Sequence, residues 1–118
     1  MFYVCSMNIE KTQAQMKKGV LELCILSIIT GKEVYASDIL EELKRSELIV
    51  VEGTLYPLLT RLKNDGLLSY RWEESKSGPP RKYYEITEIG KKVLKELDIS
   101  WKELVNAVQL LTESNNLI

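Results

Sequence analysis

The sequence predicts an α+β fold, mostly α, from three observations: successive amphipathic helical stretches, two alternating strands around a Gly-Pro-Pro tip, and a closing helix with a heptad seam. Helix, helix, helix, hairpin is the order of a winged helix-turn-helix, whose third helix enters the major groove of DNA while the hairpin wing touches the backbone or minor groove. A chain of 118 residues suffices for one domain with a modest core. The expected organisation is an N-terminal tail at 1–11, the winged helix-turn-helix at 12–87, a C-terminal dimerisation helix at 88–113 and a tail at 114–118.

From Thr12 to Thr30 the chain is helix-like, with Gly31 where helices commonly end in a left-handed residue. Its second half, "VLELCILSII", is apolar nearly all round, so something besides its own domain should cover it. "YASDILEELKR" sets Ala36, Ile39, Leu40 and Leu43 against Asp38, Glu41, Glu42 and Lys44, which makes a second, shorter helix. "SELIVV" is β-branched and more extended than helical. In "GTLYPLLTRLKNDGLLSY" the residues Leu55, Leu58, Leu59 and Leu62 share one face of a third helix that stops at Gly66. Pro57 is tolerated in two ways. Either Thr54 caps the helix and the proline lies in the first turn, or the helix begins near Glu52 and the ring faces the carbonyl of Gly53. "LLSYRWEE" and "RKYYEIT" alternate on either side of "SKSGPP" and form the hairpin. Thr87 then caps a last helix reaching about Thr112, in which Leu94, Leu97, Trp101, Leu104, Val108 and Leu111 recur at intervals of three and four.

Sixteen Lys and Arg against seventeen Asp and Glu point to no charged partner in bulk, but the distribution does. Residues 51–84 hold six basic side chains, Arg61, Lys63, Arg71, Lys76, Arg81 and Lys82, against four acidic ones. Histidine is absent, and Cys5 and Cys24 have no ligand neighbours at metal spacing, which removes most hydrolytic triads and ordinary zinc sites. No cofactor is expected, and an enzyme is the class least supported. Val20–Ile29 is too short to cross a bilayer, which takes about twenty residues. "MFYVCS" lacks the flank of a signal peptide, Met7 is the expected native start, and the cytoplasm the expected compartment.

The polar face of the third helix carries Thr54, Tyr56, Thr60, Arg61 and Lys63, the donors, cations and aromatic hydroxyl that reach phosphates and base edges. With Lys76, Arg81 and Lys82 on the wing they form the candidate surface for double-stranded DNA. Each has a duller role open to it: Tyr56 packing its ring, Lys63 solubilising, the whole face merely solvated. Arg61 is placed opposite Leu58 and Leu62 and favoured for DNA. Trp72 and Tyr84 are expected to pack the wing, and Glu41 and Glu42 to face away from phosphate. The seam from Leu94 to Leu111 predicts a homodimer. Trp101 occupies an a position there, unusual for a flat ring, and a pair of them leaves either a packed interface or a slot for a planar apolar or cationic ligand.

"GTLYPLLTRLKNDGLLS", the wing "GPPRKYYEIT" and "TEIGKKVL" together resemble PadR-like transcriptional regulators, and "KKGVLELCILSII" with "VYASDIL" fits that family's first two helices. The resemblance covers residues 17 to about 112. It implies a bacterial winged-helix DNA binder, most often a repressor, that dimerises through one short C-terminal helix, as in the family's small subgroup. It also puts Thr54, Tyr56 and Arg61 on the recognition helix and Arg81, Lys82 and Tyr83 on the wing. Some PadR-like regulators sense planar aromatic compounds. Where the family often has a serine or similar cap ahead of "EGTLYP", this chain has Val51. A winged-helix module that binds only proteins is the alternative; it accounts for fold and dimer but leaves the basic excess idle.

Overall fold

In the computed structural model the backbone is described for residues 2–48, 50–75 and 77–114, and side chains for 9–48, 50–74 and 77–114. The elements run α1 (Phe2–Ile29), β1 (Val34–Tyr35), α2 (Ala36–Arg45), α3 (Glu52–Asn64), β2 (Leu68–Ser75), β3 (Gly78–Ile86) and α4 (Glu88–Ser114). The three strands pair antiparallel in the order β1-β3-β2. This is the winged-helix arrangement, with β2 and β3 as the wing.

Two boundaries differ from expectation. α1 begins at Phe2 rather than Thr12, because residues 2–11 hold no glycine or proline to stop a helix. Its side chains from Ile9 to Gly19 are exposed, so this half projects from the domain. Val34 and Tyr35 form a strand of their own, opposite Tyr84 and Tyr83 of β3, instead of leading into α2. A two-residue strand has no periodicity to betray it.

The core is built from one face of each helix: Leu21, Ile25, Leu26 and Ile29 of α1, Ile39 and Leu43 of α2, and Leu55, Leu59 and Leu62 of α3, closed by Val34, Leu68 and Tyr84 of the sheet. Cys24 is half-buried beside them, and burial pushes its thiol up, away from the reactive thiolate. α2 starts where Tyr35 N–H donates to Asp38 Oδ2 at 2.9 Å. α3 starts at Glu52 after Val51, so Pro57 faces the Gly53 carbonyl, the second of the two allowed geometries.

Both α2 and α3 end in the same paired-bond motif. After α3, Gly66 at φ 81° donates to the Lys63 carbonyl and Leu67 to the Leu62 carbonyl, each at 3.0 Å. After α2, Glu47 at φ 65° donates to Lys44 at 3.0 Å and Leu48 to Leu43 at 2.8 Å. Here a side-chain-bearing residue sits in the left-handed region that favours glycine. Glu47→Gly is therefore expected to stabilise the domain by about 0.5–1 kcal/mol, read as a higher urea midpoint at unchanged slope. An unchanged or lower midpoint would show that Glu47 is held by more than its backbone.

α4 is tied down at its start. Thr87 Oγ1 accepts from Gly90 N–H at 3.0 Å and lies 2.7 Å from the Gly66 carbonyl, to which it donates. Val93, Leu94 and Leu97 then lean on the core. Beyond them the helix runs out from the domain, leaving Trp101, Leu104, Val108 and Leu111 exposed.

Candidate nucleic-acid interface

Alternation along the wing gives it two chemically different faces. Tyr70 and Trp72 of β2 lie with Lys82 and Tyr84 of β3 on the side of α3, where Lys63 Nζ stands 5.6 Å from the Tyr70 ring centre. Arg71 and Glu73 lie with Arg81 and Tyr83 on the other side, where β1 adds Tyr35.

On that second side the Tyr35 and Tyr83 rings stack with centres 4.1 Å apart and planes 22° from parallel. Arg71 covers Tyr83 at 5.0 Å and Arg81 covers Tyr35 at 5.3 Å, so the two rings are held between two guanidinium groups. Burial in this stack pushes the Tyr83 phenol up. Arg71 is also engaged by carboxylates. Its Nε donates to Glu33 Oε2 at 2.8 Å and its Nη2 to Glu33 Oε1 at 3.1 Å, a two-pronged pairing, while Nη1 donates to Glu73. The Arg71 hydrogen bonds hold the Glu33 carboxyl below the ordinary glutamate range. Arg71 thus counts toward the basic excess of the sequence but its charge is neutralised in place. Arg81 and Lys82 are held by ring faces instead, Lys82 at 4.5 Å from Tyr70 and 5.3 Å from Trp72.

A cleft of about 610 Å³ opens between the start of α2, the outer flank of α3 and the wing. Ser37 lines it from the first, with Tyr35 of β1 beside it, Tyr56 and Thr60 from the second, and Trp72, Pro80, Arg81 and Lys82 from the third; Tyr35 and Arg81 border it although their strand positions belong to the other side of the wing. Four residues singled out in the sequence therefore meet here: Tyr56, Thr60, Arg81 and Lys82. Lys63 stands at the edge, over Tyr70. Thr54 is exposed but does not line the cleft, and Lys76 lies outside the described residues. Tyr83 is turned to the stacked side of the wing, where it supports Tyr35 rather than facing the cleft.

Arg61 is exposed as expected but points elsewhere. At 100° per residue it sits on the flank of α3 next to α1, and its Nη2 pairs with Glu22 Oε1 at 2.8 Å. Trp72 packs on the wing as expected, edge-on to Tyr70 at 6.2 Å and 5.3 Å from the Lys82 ammonium, yet it is 61 % exposed and also lines the cleft. Tyr84, one register further in, is buried as expected. The sequence reading missed Tyr35, Ser37 and Pro80. Only the wing's alternation pattern, continued across to β1, carries a signal for Tyr35.

The seam residues divide between two environments. Leu94 and Leu97 cover the domain's own core. Trp101, Leu104 and Val108 line a strongly apolar groove of about 560 Å³, whose other wall is Met16 and Val20 of the projecting α1. Among the described residues, no helix is long and apolar enough to cross a membrane.

The transcriptional regulator PadR-like family matches residues 25–96 of the chain. Transcriptional regulator Rv3488 of Mycobacterium tuberculosis is 33% identical over 94 residues, which cover 80% of this chain and 87% of that protein. Among solved structures, a PadR-like transcription factor from Bacteroides fragilis is similar at 57% identity and a TM-score of 0.73, covering 86% of this chain and 98% of that one. A PadR family transcriptional regulator from Eggerthella lenta superposes with a TM-score of 0.84 at 30% identity, covering 94% and 97%.

Proposed function

Because the chain belongs to the PadR-like family of transcriptional regulators, we propose that it binds operator DNA as a homodimer and represses the genes beside it, with α3 in the major groove and the wing on the backbone. One observation carries this reading: a single cleft joins the hydroxyl-bearing flank of α3 to two wing cations that ring faces hold in position. Arg81 and Lys82 meet phosphates, Tyr56 and Thr60 meet base edges, and Thr54 and Lys63 add backbone contacts at the periphery; Lys76 is proposed for phosphate contact on its charge alone. Arg61 is held toward α1 by Glu22 and competes for phosphate with that carboxylate. Trp101, Leu104, Val108 and Leu111 of α4 pack against a second copy, and a planar aromatic effector enters beside Trp101 and acts by favouring one spacing of the two recognition helices. The chain acts by binding, with no catalytic step.

Selection of bound fragments from the organism's own DNA, starting with this gene's promoter, tests the reading. A sharper test is Arg81→Gln with Lys82→Gln. Each lost phosphate contact is expected to flatten the slope of log affinity against log salt by about one unit, and binding to operator and unrelated DNA falls alike. A double variant that held operator as tightly as the parent at about 150 mM salt would exclude this surface. A protein that bound no duplex at low salt would favour the protein-binding alternative.

A further inference from the structure

The most exposed aromatic of the wing is packed on only part of its surface. Trp72 stands on the α3 side of β2, with the edge of Tyr70 at 6.2 Å and 88° and the Lys82 ammonium at 5.3 Å, directly across the strand pair. Tyr70 is itself fixed by the buried Tyr84 ring 5.9 Å away. The indole is thus oriented by neighbours that do not cover it, and its free surface belongs to the cleft. Leaving a ring of that size in water forgoes the burial that places most aromatics.

The cleft's chemistry defines what would cover it. Two cations call for an anionic occupant, and the hydroxyls of Ser37, Tyr56 and Thr60 for hydrogen-bond acceptors. The indole calls for flat or apolar surface, with an acceptor for its N–H. A nucleic-acid strand brings all of these together, as phosphate oxygens alternating with deoxyribose rings. An acidic peptide satisfies the cations but covers the indole only where it also carries an apolar side chain at the right spacing, whereas every nucleotide of a strand carries a sugar.

Resting on the DNA-binding reading above, we propose that Trp72 is a DNA-contacting residue. Its indole lies against a deoxyribose of the strand that crosses the cleft and donates Nε1–H to a phosphate oxygen, while Lys82 neutralises phosphate alongside. The contact carries no charge, and this separates it from those of its neighbours. Trp72→Ala is expected to weaken duplex binding about tenfold, the effect of removing one apolar face from an interface, without changing the salt slope. Trp72→Phe, which keeps a ring but no N–H, falls between.

Tryptophan emission supplies the independent readout, since the chain has two tryptophans. The emission change that a labelled operator duplex induces in the parent protein is expected to vanish in Trp72→Phe at saturating DNA, leaving Trp101 unresponsive. Circular dichroism confirms that both variants fold, as an exposed position allows. Trp72→Ala binding duplex as tightly as the parent, or an emission response that persists in Trp72→Phe, would overturn the contact alone. A parent protein that bound no duplex would overturn the DNA reading and the contact together.

Discussion

Replacing Gly90 with alanine is expected to destabilise the domain by about 3 kcal/mol or more, out of a total of roughly 5–15 for a domain of this kind. The methyl group would meet the Leu67 carbonyl oxygen at 2.2 Å and Ile86 Cγ1 at 2.7 Å. The carbonyl is not free to move. The Leu67 carbonyl accepts from Thr87 N–H at 3.1 Å, and Leu67 closes the end of α3 through its own bond to Leu62. Backing α4 away to make room would pull Thr87 from the Gly66 carbonyl and lift Leu94 and Leu97 off the core. Backbone freedom is not the issue, for Gly90 lies inside a regular helix, where alanine by itself would gain about 1 kcal/mol. Space alone decides the sign. Gly53, in the first turn of α3, is the matched control, because a methyl there meets nothing within 4 Å. Urea midpoints are therefore expected to fall steeply for Gly90→Ala and to hold or rise for Gly53→Ala. Equal midpoints would mean that α4 does not start against Leu67.

That constraint was half legible in the sequence. Thr87 announces a helix cap by its type and place, and "TEIG" looks like a motif, yet nothing along the chain says that its glycine abuts a carbonyl twenty-three positions earlier. The same division runs through the molecule. Apolar residues at three- and four-residue intervals identify the buried face of α2 and α3, because each helix must turn that face inward whatever it meets. Which flank of α3 faces the wing and which faces α1 depends on packing between elements, so Arg61 and Tyr56 look equivalent until Glu22 takes one and the cleft the other.

The wing repeats the lesson with aromatics. Alternation sorts its side chains into two sets correctly, but the meaning of each set comes from β1, a strand too short to show in any pattern. Tyr83 thereby becomes a support for Tyr35. Arg71 becomes a neutralised clamp through Glu33, thirty-eight positions away. Trp72 keeps its expected contacts with Tyr70 and Lys82, but no pattern along the chain shows that the rest of its ring is left to the cleft.

Leu104→Glu is expected to convert the protein from dimer to folded monomer and to take operator binding with it. On α4 the exposed row of Trp101, Leu104, Val108 and Leu111 is too apolar for a helix meant to stay in water, and Leu104 is 56 % exposed in the single chain. In the proposed homodimer a second copy related by a two-fold axis covers that row with itself, so each change is made twice across the seam. Burying one leucine contributes roughly 1.5–3 kcal/mol. Losing two and gaining two facing carboxylates should weaken dimerisation by about a hundredfold or more. The fold itself should survive, because Leu94 and Leu97, which hold α4 to the core, are untouched. Sedimentation at micromolar concentration and circular dichroism read the two effects separately. DNA binding follows the dimer, because a monomer offers one recognition helix and one wing to an operator built of two half-sites. A Leu104→Glu protein that stayed dimeric would place the interface elsewhere; one that became monomeric yet held operator at full strength would show that a single domain reads the whole site.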